Sequence, residues 1–337
     1  METMLAARLH VPSHTLRVEE VPRPQPGPGE VLVKVEAAGV CLSDVHLIDG
    51  TLKPFLLRGD TVTLGHEVSG TVAEVGEGVT TRTPGQRVVL YAGELRDGVT
   101  YTRGVDYDGG WAEYALSAAT AMAPLPDSIP FDQGAIIPDA VSTPWGAITE
   151  TAAVRPAEAA GVWGVGGLGV HAVQVLRAVG ACPIVAVDPN PVARERALAA
   201  GADIALDPAD PGLGEAVAAV TGGAGLAAAF DFAGVPAVRE QAVSVLAPKG
   251  RLVLVGLTDQ PLTLTDGTRF SYLQQRVLGH YGSDMPVALP KLLRLVQAGR
   301  LDFSGSISGT LPLSRAAEAV ARLEKKEGDP IRLILRP

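Results

Sequence analysis

Cysteine is scarce in this chain: Cys41 and Cys182 are the only two among 337 residues. No disulfide framework beyond one bridge can form, and no four-cysteine zinc site can be built within the chain. Aromatic residues are few, at 4%, and charged residues reach only 19% against 47% apolar. So apolar a chain is not a disordered one. Basic residues are outnumbered 28 to 37, for a net charge of −9. That balance argues against non-specific nucleic-acid binding and against an anionic membrane surface. Met1–Val11 carries Glu2, Arg8 and His10 with no long apolar run, so no secretory signal is expected there. The longest uncharged, largely apolar stretch is Ala159–Leu176, but five of its 18 residues are glycine and Arg177 closes it. A strand, a glycine turn and a helix explain it better than a membrane span. The expectation is a soluble, cytoplasmic protein.

Glycine and proline are abundant, at 39 and 26 residues. No G-x-y period accompanies them, so the excess means turns and close backbone contacts. At about 150 residues per domain, the length predicts two domains. Glu30–Ala38 alternates as a half-buried strand should, and Val68–Val75 and Gln86–Tyr91 are further strands between glycine and proline turns. Gly93–Gly110 is polar and irregular and is expected to be a long surface loop; Trp111–Leu116 resumes strand character. From about Ala160 the rhythm changes. The short apolar runs Gly161–Val165, Ile184–Val187, Ile204–Leu206, Ala227–Phe232 and Arg251–Leu257 alternate with helical segments. That rhythm predicts βαβ units and a parallel sheet. After Gly282 come two helices, Val287–Ala298 and Leu313–Lys325, and a last strand, Ile331–Leu335.

The run Gly164-Val165-Gly166-Gly167-Leu168-Gly169 follows a predicted strand and opens a helix. The first glycine permits the tight turn, the second lets a pyrophosphate approach, and the third lets helix pack on strand. Free N–H groups at the helix start then face the phosphates. Asp188 ends the next predicted strand, 22 residues after Gly166. A carboxylate there accepts from the ribose hydroxyls and repels a 2′-phosphate, which favours NAD over NADP. Arg194 and Arg196 follow and are expected to be solvated helix charges.

Three separate segments hold residues that suit a zinc ion. Gly39–His46 carries Cys41, Ser43, Asp44 and His46; Gly65-His66-Glu67 carries an adjacent imidazole and carboxylate; Pro138-Asp139 carries a lone acid in apolar surroundings. A catalytic zinc takes three protein ligands and keeps one position open, and a thiolate, an imidazole and a carboxylate meet that need. Each residue also has a plainer role open to it. Cys41 suits a buried small hydrophobe, His66-Glu67 a surface hydrogen bond, and Asp139 a cap on a helix beginning near Ala140. No local spacing unites segments 20 to 70 residues apart.

Taken together, GVCLSDVH, GHEVSGTVAEVG at 65–76, PGQRVV at 84–89, GGWAEY at 109–114, DAVSTPWGA, GVGGLG with Asp188, LVGL at 254–257 and IRLIL at 331–335 form an ordered set. In that set the chain resembles the zinc-dependent alcohol dehydrogenases of the medium-chain dehydrogenase/reductase superfamily, over nearly its whole length. The resemblance implies an α/β protein with a β-rich GroES-like catalytic domain and a Rossmann doubly wound parallel sheet. It places the catalytic domain at 1–143 and 284–337 and the NAD-binding domain at 144–283. It implies that Cys41, His66 and Asp139 ligate one catalytic zinc, with Glu67 adjacent and able to exchange onto the metal. Asp44 would hydrogen-bond His66 and fix its tautomer. Ser43 and His46 resemble the proton relay, where an imidazole suits exit near neutral pH. Thr143 and Leu168 would lie against the nicotinamide, and Arg332 resembles a residue that reaches the cofactor phosphates.

Two departures from the family pattern stand out. The loop matching Gly93–Gly109 has none of the four cysteines that hold a structural zinc in some relatives, and Leu42 replaces a basic residue found after the first ligand. The activity implied is hydride transfer between NAD and a primary or secondary alcohol or its carbonyl product, with zinc as the Lewis acid. Leu52, Tyr91, Trp145 and Leu257 are pocket candidates by the same resemblance. The alternative on this fold is a reductase of activated C=C or C=N bonds, which needs the zinc and the relay less. The partners expected are a small-molecule substrate and other copies of the chain, as homodimer or homotetramer, with no nucleic acid and no membrane.

Overall fold

The computed structural model describes residues 2–337. The chain divides into two units, residues 2–140 with Met285–Pro337, and Val141–Asp284.

In the first unit the organising element is the strand Glu30–Val40, whose valines and alanines are buried. It pairs antiparallel with Val68–Val75, with Tyr114–Ala118 and with Arg332–Arg336. Arg87–Leu90 and Met122–Pro124 extend the sheet on one side and Ile307–Pro312 on the other. Gly39 stands opposite Ile334, so a strand from the end of the unit completes a sheet begun near its start. Leu333, Ile334 and Leu335 are fully buried. At about 1.5–3 kcal/mol for each such side chain, that burial is what holds the last strand in place. A second sheet orders Thr15–Pro22, Thr3–His10 and Thr61–Thr63. Val33, Val35, Val68, Leu90, Trp111 and Leu333 belong to the core of this unit.

The second unit is a six-stranded parallel sheet. Its order is Ile204–Leu206, Ile184–Val187, Ala160–Trp163, Leu226–Asp231, Leu246–Leu254, Arg276–Gly279. In chain sequence that is 3-2-1-4-5-6, the doubly wound order with its switch point at Ala160–Trp163. Ala160–Trp163 and Ile184–Val187 are buried at every residue, as strands covered on both faces must be. Helices Gly169–Val179, Pro191–Ala200, Leu213–Val220 and Pro236–Ser244 follow the first four strands in chain order. Asn190 caps the second of these, its side chain accepting from Val192 N, with proline in the first turn and Gly201 in the left-handed region at the end. The apolar stretch 159–176 is therefore strand, turn and helix. Among the described residues no helix is long and apolar enough to cross a membrane.

Two expectations are corrected. Gly93–Gly110 is not an irregular surface loop: Gly93–Arg96 and Val99–Thr102 form a hairpin, and Arg103, Gly104, Val105, Gly109 and Gly110 are buried. Polar composition suggested exposure, but the charge of Arg103 is met internally. Nor does a helix begin near Ala140. Phe131–Ile136, Ile137–Val141, Ser142–Gly146 and Ala147–Thr151 follow one another without a break, the second and fourth as wider π turns. Asp139 lies inside this helical run, so it caps nothing.

Candidate active site

The first unit gathers Cys41, His66, Glu67 and Asp139, with one ligand atom from each lying within 4.8 Å of all the others. Three local structures deliver them, and a fourth brings Arg332 beside them. Cys41 ends the strand Glu30–Val40 and starts the helix Leu42–Asp49. Asp44 Oδ2 accepts from Cys41 N at 2.9 Å and so fixes that corner. His66 and Glu67 follow Gly65, whose φ of +94° only glycine holds without strain. Asp139 is aimed inward by the π turn, a feature that recurs at functional sites. Arg332 comes from the last strand.

The spacings suit a tetrahedral metal. Asp139 Oδ2 is 3.3 Å from Cys41 Sγ and 3.4 Å from His66 Nε2. Bonds of about 2.0–2.3 Å at tetrahedral angles put such donors roughly 3.3–3.7 Å apart. Charge points the same way. Cys41, Asp44, Glu67 and Asp139 are four acidic groups around one permanent cation, Arg332. Arg332 Nη2 lies 3.1 Å from Glu67 and 3.5 Å from Asp139. Burial resists charge on His66, yet Asp44, Asp139 and Cys41 outweigh it and hold the imidazole well above its ordinary range. Burial also pushes Glu67 up to about 7, against the pull of Arg332. Asp44 is raised by burial, His66 partly opposing. Arg332 is raised: burial works against its charge, but Cys41 and the surrounding carboxylates prevail. Groups this crowded by mutual charge, with donor atoms of Cys41, His66, Glu67 and Asp139 all within 4.8 Å of one another, suit a bound divalent cation.

The site residues expected from sequence fall out as follows. Asp44 Oδ1 stands 3.6 Å from His66 Nδ1, the atom away from the cluster. Glu67 Oε1 accepts from Ala140 N at 3.1 Å, which holds that carboxylate oxygen back. Ser43 Oγ lies 3.1 Å from Cys41 Sγ. His46, three residues on along the same helix, is 26% exposed at its side chain with Nδ1 3.7 Å from Asp49. The guanidinium of Arg332 is buried beside the carboxylates of Glu67 and Asp139, where it balances their charge. Of the pocket candidates, Leu52 packs on the core of the first unit and Tyr91 is buried there, while Leu257 in the second unit is 40% exposed.

In the second unit the glycine turn has the predicted build. Gly164 has φ +85°. A Cβ on Gly169 would run into the carbonyl oxygen of Gly164, so helix and strand touch there. A Cβ on Gly166 would meet nothing within 4 Å, which leaves the open side of the turn to a ligand. Gly167 O is hydrogen-bonded to His171 Nδ1 at 2.8 Å. Leu168 occupies the N-cap position of Gly169–Val179. Asp188 accepts from Val165 N at 2.7 Å on one oxygen and from Asn190 N at 2.9 Å on the other. A carboxylate has about four acceptor positions, so capacity for ribose hydroxyls is left. Arg194 is not simply solvated: it donates to Asp188 O, Pro189 O and Asp207.

Three contributors escaped sequence analysis. Gly39 is one, because Glu67 Oε2 occupies the place a Cβ would take. Trp111 is another, its indole N–H donating to Gly39 O at 2.9 Å. The third, His280, holds Thr143 O at 3.0 Å through Nε2 and Thr151 Oγ1 at 2.8 Å through Nδ1. A carbonyl only accepts, so Nε2 carries the proton in that pair. The glycine next but one before the first ligand was a usable signal for Gly39, and the GGWAEY motif for Trp111; nothing in the sequence marked His280.

Comparison with known proteins agrees with this geometry. Residues 27–127 match the alcohol dehydrogenase GroES-like domain and residues 167–298 match the zinc-binding dehydrogenase domain. The chain is 31% identical to an NDMA-dependent alcohol dehydrogenase of Amycolatopsis methanolica, covering 98% of each. It is 30% identical to an L-threonine 3-dehydrogenase of Pyrococcus horikoshii, covering 91% of each. A crystal structure of 2R,3R-butanediol dehydrogenase from Bacillus subtilis superposes with a TM-score of 0.90 at 28% identity, over 99% of each chain. The chain belongs to the zinc-dependent alcohol dehydrogenase family of the medium-chain dehydrogenases/reductases.

Proposed function

We propose that this protein is a zinc-dependent, NAD-linked dehydrogenase that interconverts a primary or secondary alcohol and its aldehyde or ketone. The observation that carries this is the Cys41, His66 and Asp139 donor set beside Ser43 and His46. Cys41, His66 and Asp139 would hold one zinc. Zinc there supplies Lewis acidity to the substrate oxygen, and the nicotinamide supplies the hydride acceptor.

This chain's own residues do the rest. Asp44 faces His66 Nδ1 and keeps Nε2 aimed at the donor cluster. Arg332 and Ala140 N hold Glu67 back as a reserve ligand. Ser43 takes the proton released by an alcohol, and His46, nearer solvent, passes it out. The turn Gly164–Gly169 receives the pyrophosphate, Thr143 and Leu168 flank the nicotinamide, and Asp188 binds the adenosine ribose. NAD is favoured because the Asp188 carboxylate would repel a 2′-phosphate and Nη1 of Arg194 is directed to Asp207 and two carbonyls. One zinc per chain is favoured because four hydrogen bonds from Arg103 hold the segment after Gly93 without any cysteine. The diol and the 3-hydroxy amino acid named for two relatives are secondary alcohols, and a small molecule of that kind is the expected substrate. We expect the active form to be a homodimer or homotetramer.

The test is reduced-nicotinamide absorbance with a panel of alcohols, ketones and enals, with NAD and NADP, before and after chelation. The expected result is alcohol turnover with NAD that chelation abolishes and zinc restores. Turnover of enals alone, indifferent to chelation, would replace this function with double-bond reduction.

A further inference from the structure

The segment after Gly93 contains a buried charge for which the proposed reaction has no use. Arg103 is fully buried. Its guanidinium donates to Tyr91 O at 3.2 Å, Leu116 O at 2.8 Å, Ser117 Oγ at 2.9 Å and Glu94 Oε1 at 3.1 Å. Such a buried pair adds little net stability over apolar packing. What a fork of four fixed bonds does supply is a defined backbone path.

That path runs along the turn carrying His66. Gly104, at φ +67°, is pressed against Gly65, so close that a Cβ would stand 2.6 Å from Gly65 N. Gly109 N donates to Thr63 O at 2.7 Å, Trp111 N to Leu64 O at 2.8 Å and Gly110 N to Gly65 O at 2.8 Å. Asp108 accepts from Thr63 N at 2.7 Å. Three consecutive residues before His66 are thus gripped by one segment. The same segment reaches the other ligand strand, where Trp111 Nε1 donates to Gly39 O, two residues before Cys41.

We propose that Arg103 is a positioning residue for the metal: its buried fork fixes the 103–111 segment, which sets His66 and Cys41 at ligand spacing. The inference rests on zinc being held by Cys41, His66 and Asp139.

The experiment uses the full zinc-loaded chain. Zinc affinity is measured by chelator competition, and ligand geometry by the visible spectrum of the cobalt(II)-substituted protein. Arg103→Lys keeps the charge and loses the fork. Trp111→Phe keeps the ring and loses the N–H to Gly39, and serves if the first variant does not fold. Leu95→Ser, at an exposed hairpin position, is the control. The expected result is zinc affinity at least about tenfold weaker in both test variants, with altered cobalt bands. NAD affinity in both, and every readout in the control, should stay unchanged. Wild-type zinc affinity and cobalt bands in folded Arg103→Lys overturn the inference alone. So does an unfolded Arg103→Lys alongside an unaltered Trp111→Phe. A wild-type protein that binds no zinc overturns the ligand assignment and this inference with it.

Discussion

The carboxylate of Glu67 fills the space that a side chain on Gly39 would need. Gly39 cannot back away, because its strand is paired with Ile334 on one side and its N–H donates to Glu67 O at 2.8 Å. Gly39→Ala should therefore cost about 1–3 kcal/mol of stability, the range for forcing a methyl into packed surroundings. It should also lower zinc retention, since the displaced carboxylate belongs to the metal cluster. Urea unfolding and metal analysis check both. A variant with the wild-type midpoint and full zinc would mean Glu67 has room that the structure denies it.

Asp139→Asn separates ligand from scaffold. Asp139 lies inside a continuous helical run, so the change removes no cap and should leave thermal stability nearly intact. The loss of an anionic ligand should cut zinc content and turnover severely. Full zinc with full turnover would show that another group, Glu67 being nearest, completes the site.

Ser43→Ala should lower kcat for alcohol oxidation by about 10²-fold or more, the range for a positioned acid–base group. His46→Gln should do less, because His46 is partly exposed and water can stand in for it. Neither should change zinc content. Unaltered kcat in zinc-loaded Ser43→Ala would remove the case for alcohol over double-bond chemistry.

Asp188→Asn should weaken NAD binding and relax the preference against NADP by about tenfold, since it removes a negative charge beside a 2′-phosphate. The amide oxygen can replace only one of the two backbone contacts, to Val165 N or Asn190 N, so some of the loss is structural. Ratios of kcat/KM for the two cofactors decide it. A wild-type enzyme that already prefers NADP tenfold would refute the assignment.

His280 gives a pH dependence away from the metal. Burial holds its imidazole below the ordinary range, with Thr143 O and Gly282 pulling only partly upward. The folded state thus favours the neutral ring. Below about pH 6.5 the unfolded chain takes up that proton first, so stability present above 6.5 is lost as pH falls toward the folded value. His280→Gln should flatten this slope. Urea midpoints between pH 5 and 8 for both proteins provide the measure, and equal slopes would rule the contribution out.

Most of the parallel sheet was legible because its strands are short apolar runs set off by glycine or proline, as Pro183 precedes Ile184 and Gly225 precedes Leu226; the edge strand Arg276–Gly279, which follows Gln274-Gln275, was not read. Ile184–Val187 and Ile204–Leu206 match to the residue. The build of the glycine turn and the place of Asp188 just after the next strand were legible for the same reason, since both depend on a local spacing. The metal cluster was not, on spacing alone. Cys41, His66 and Asp139 are brought together by long-range pairing, and only the resemblance united them. Arg332 shows the limit: its motif was recognised, but its burial against Glu67 depends on the register between Arg332–Arg336 and Glu30–Val40. The hairpin after Gly93 was missed because polar residues suggest solvent, and a sequence does not say that an arginine finds its acceptors inside.

The pairing of Arg332–Arg336 beside Gly39 also sets an order of assembly on the ribosome. Cys41, His66, Glu67 and Asp139 have all been synthesised before the second unit begins at Val141, yet the cation that balances them arrives only after Val141–Asp284 has emerged. At roughly 5–20 residues per second, the interval between Asp139 and Arg332 is about 10–40 s. For that time Cys41, Asp44, Glu67 and Asp139 have no Arg332 to balance them, and a zinc ion captured early would supply counter-charge that draws them together.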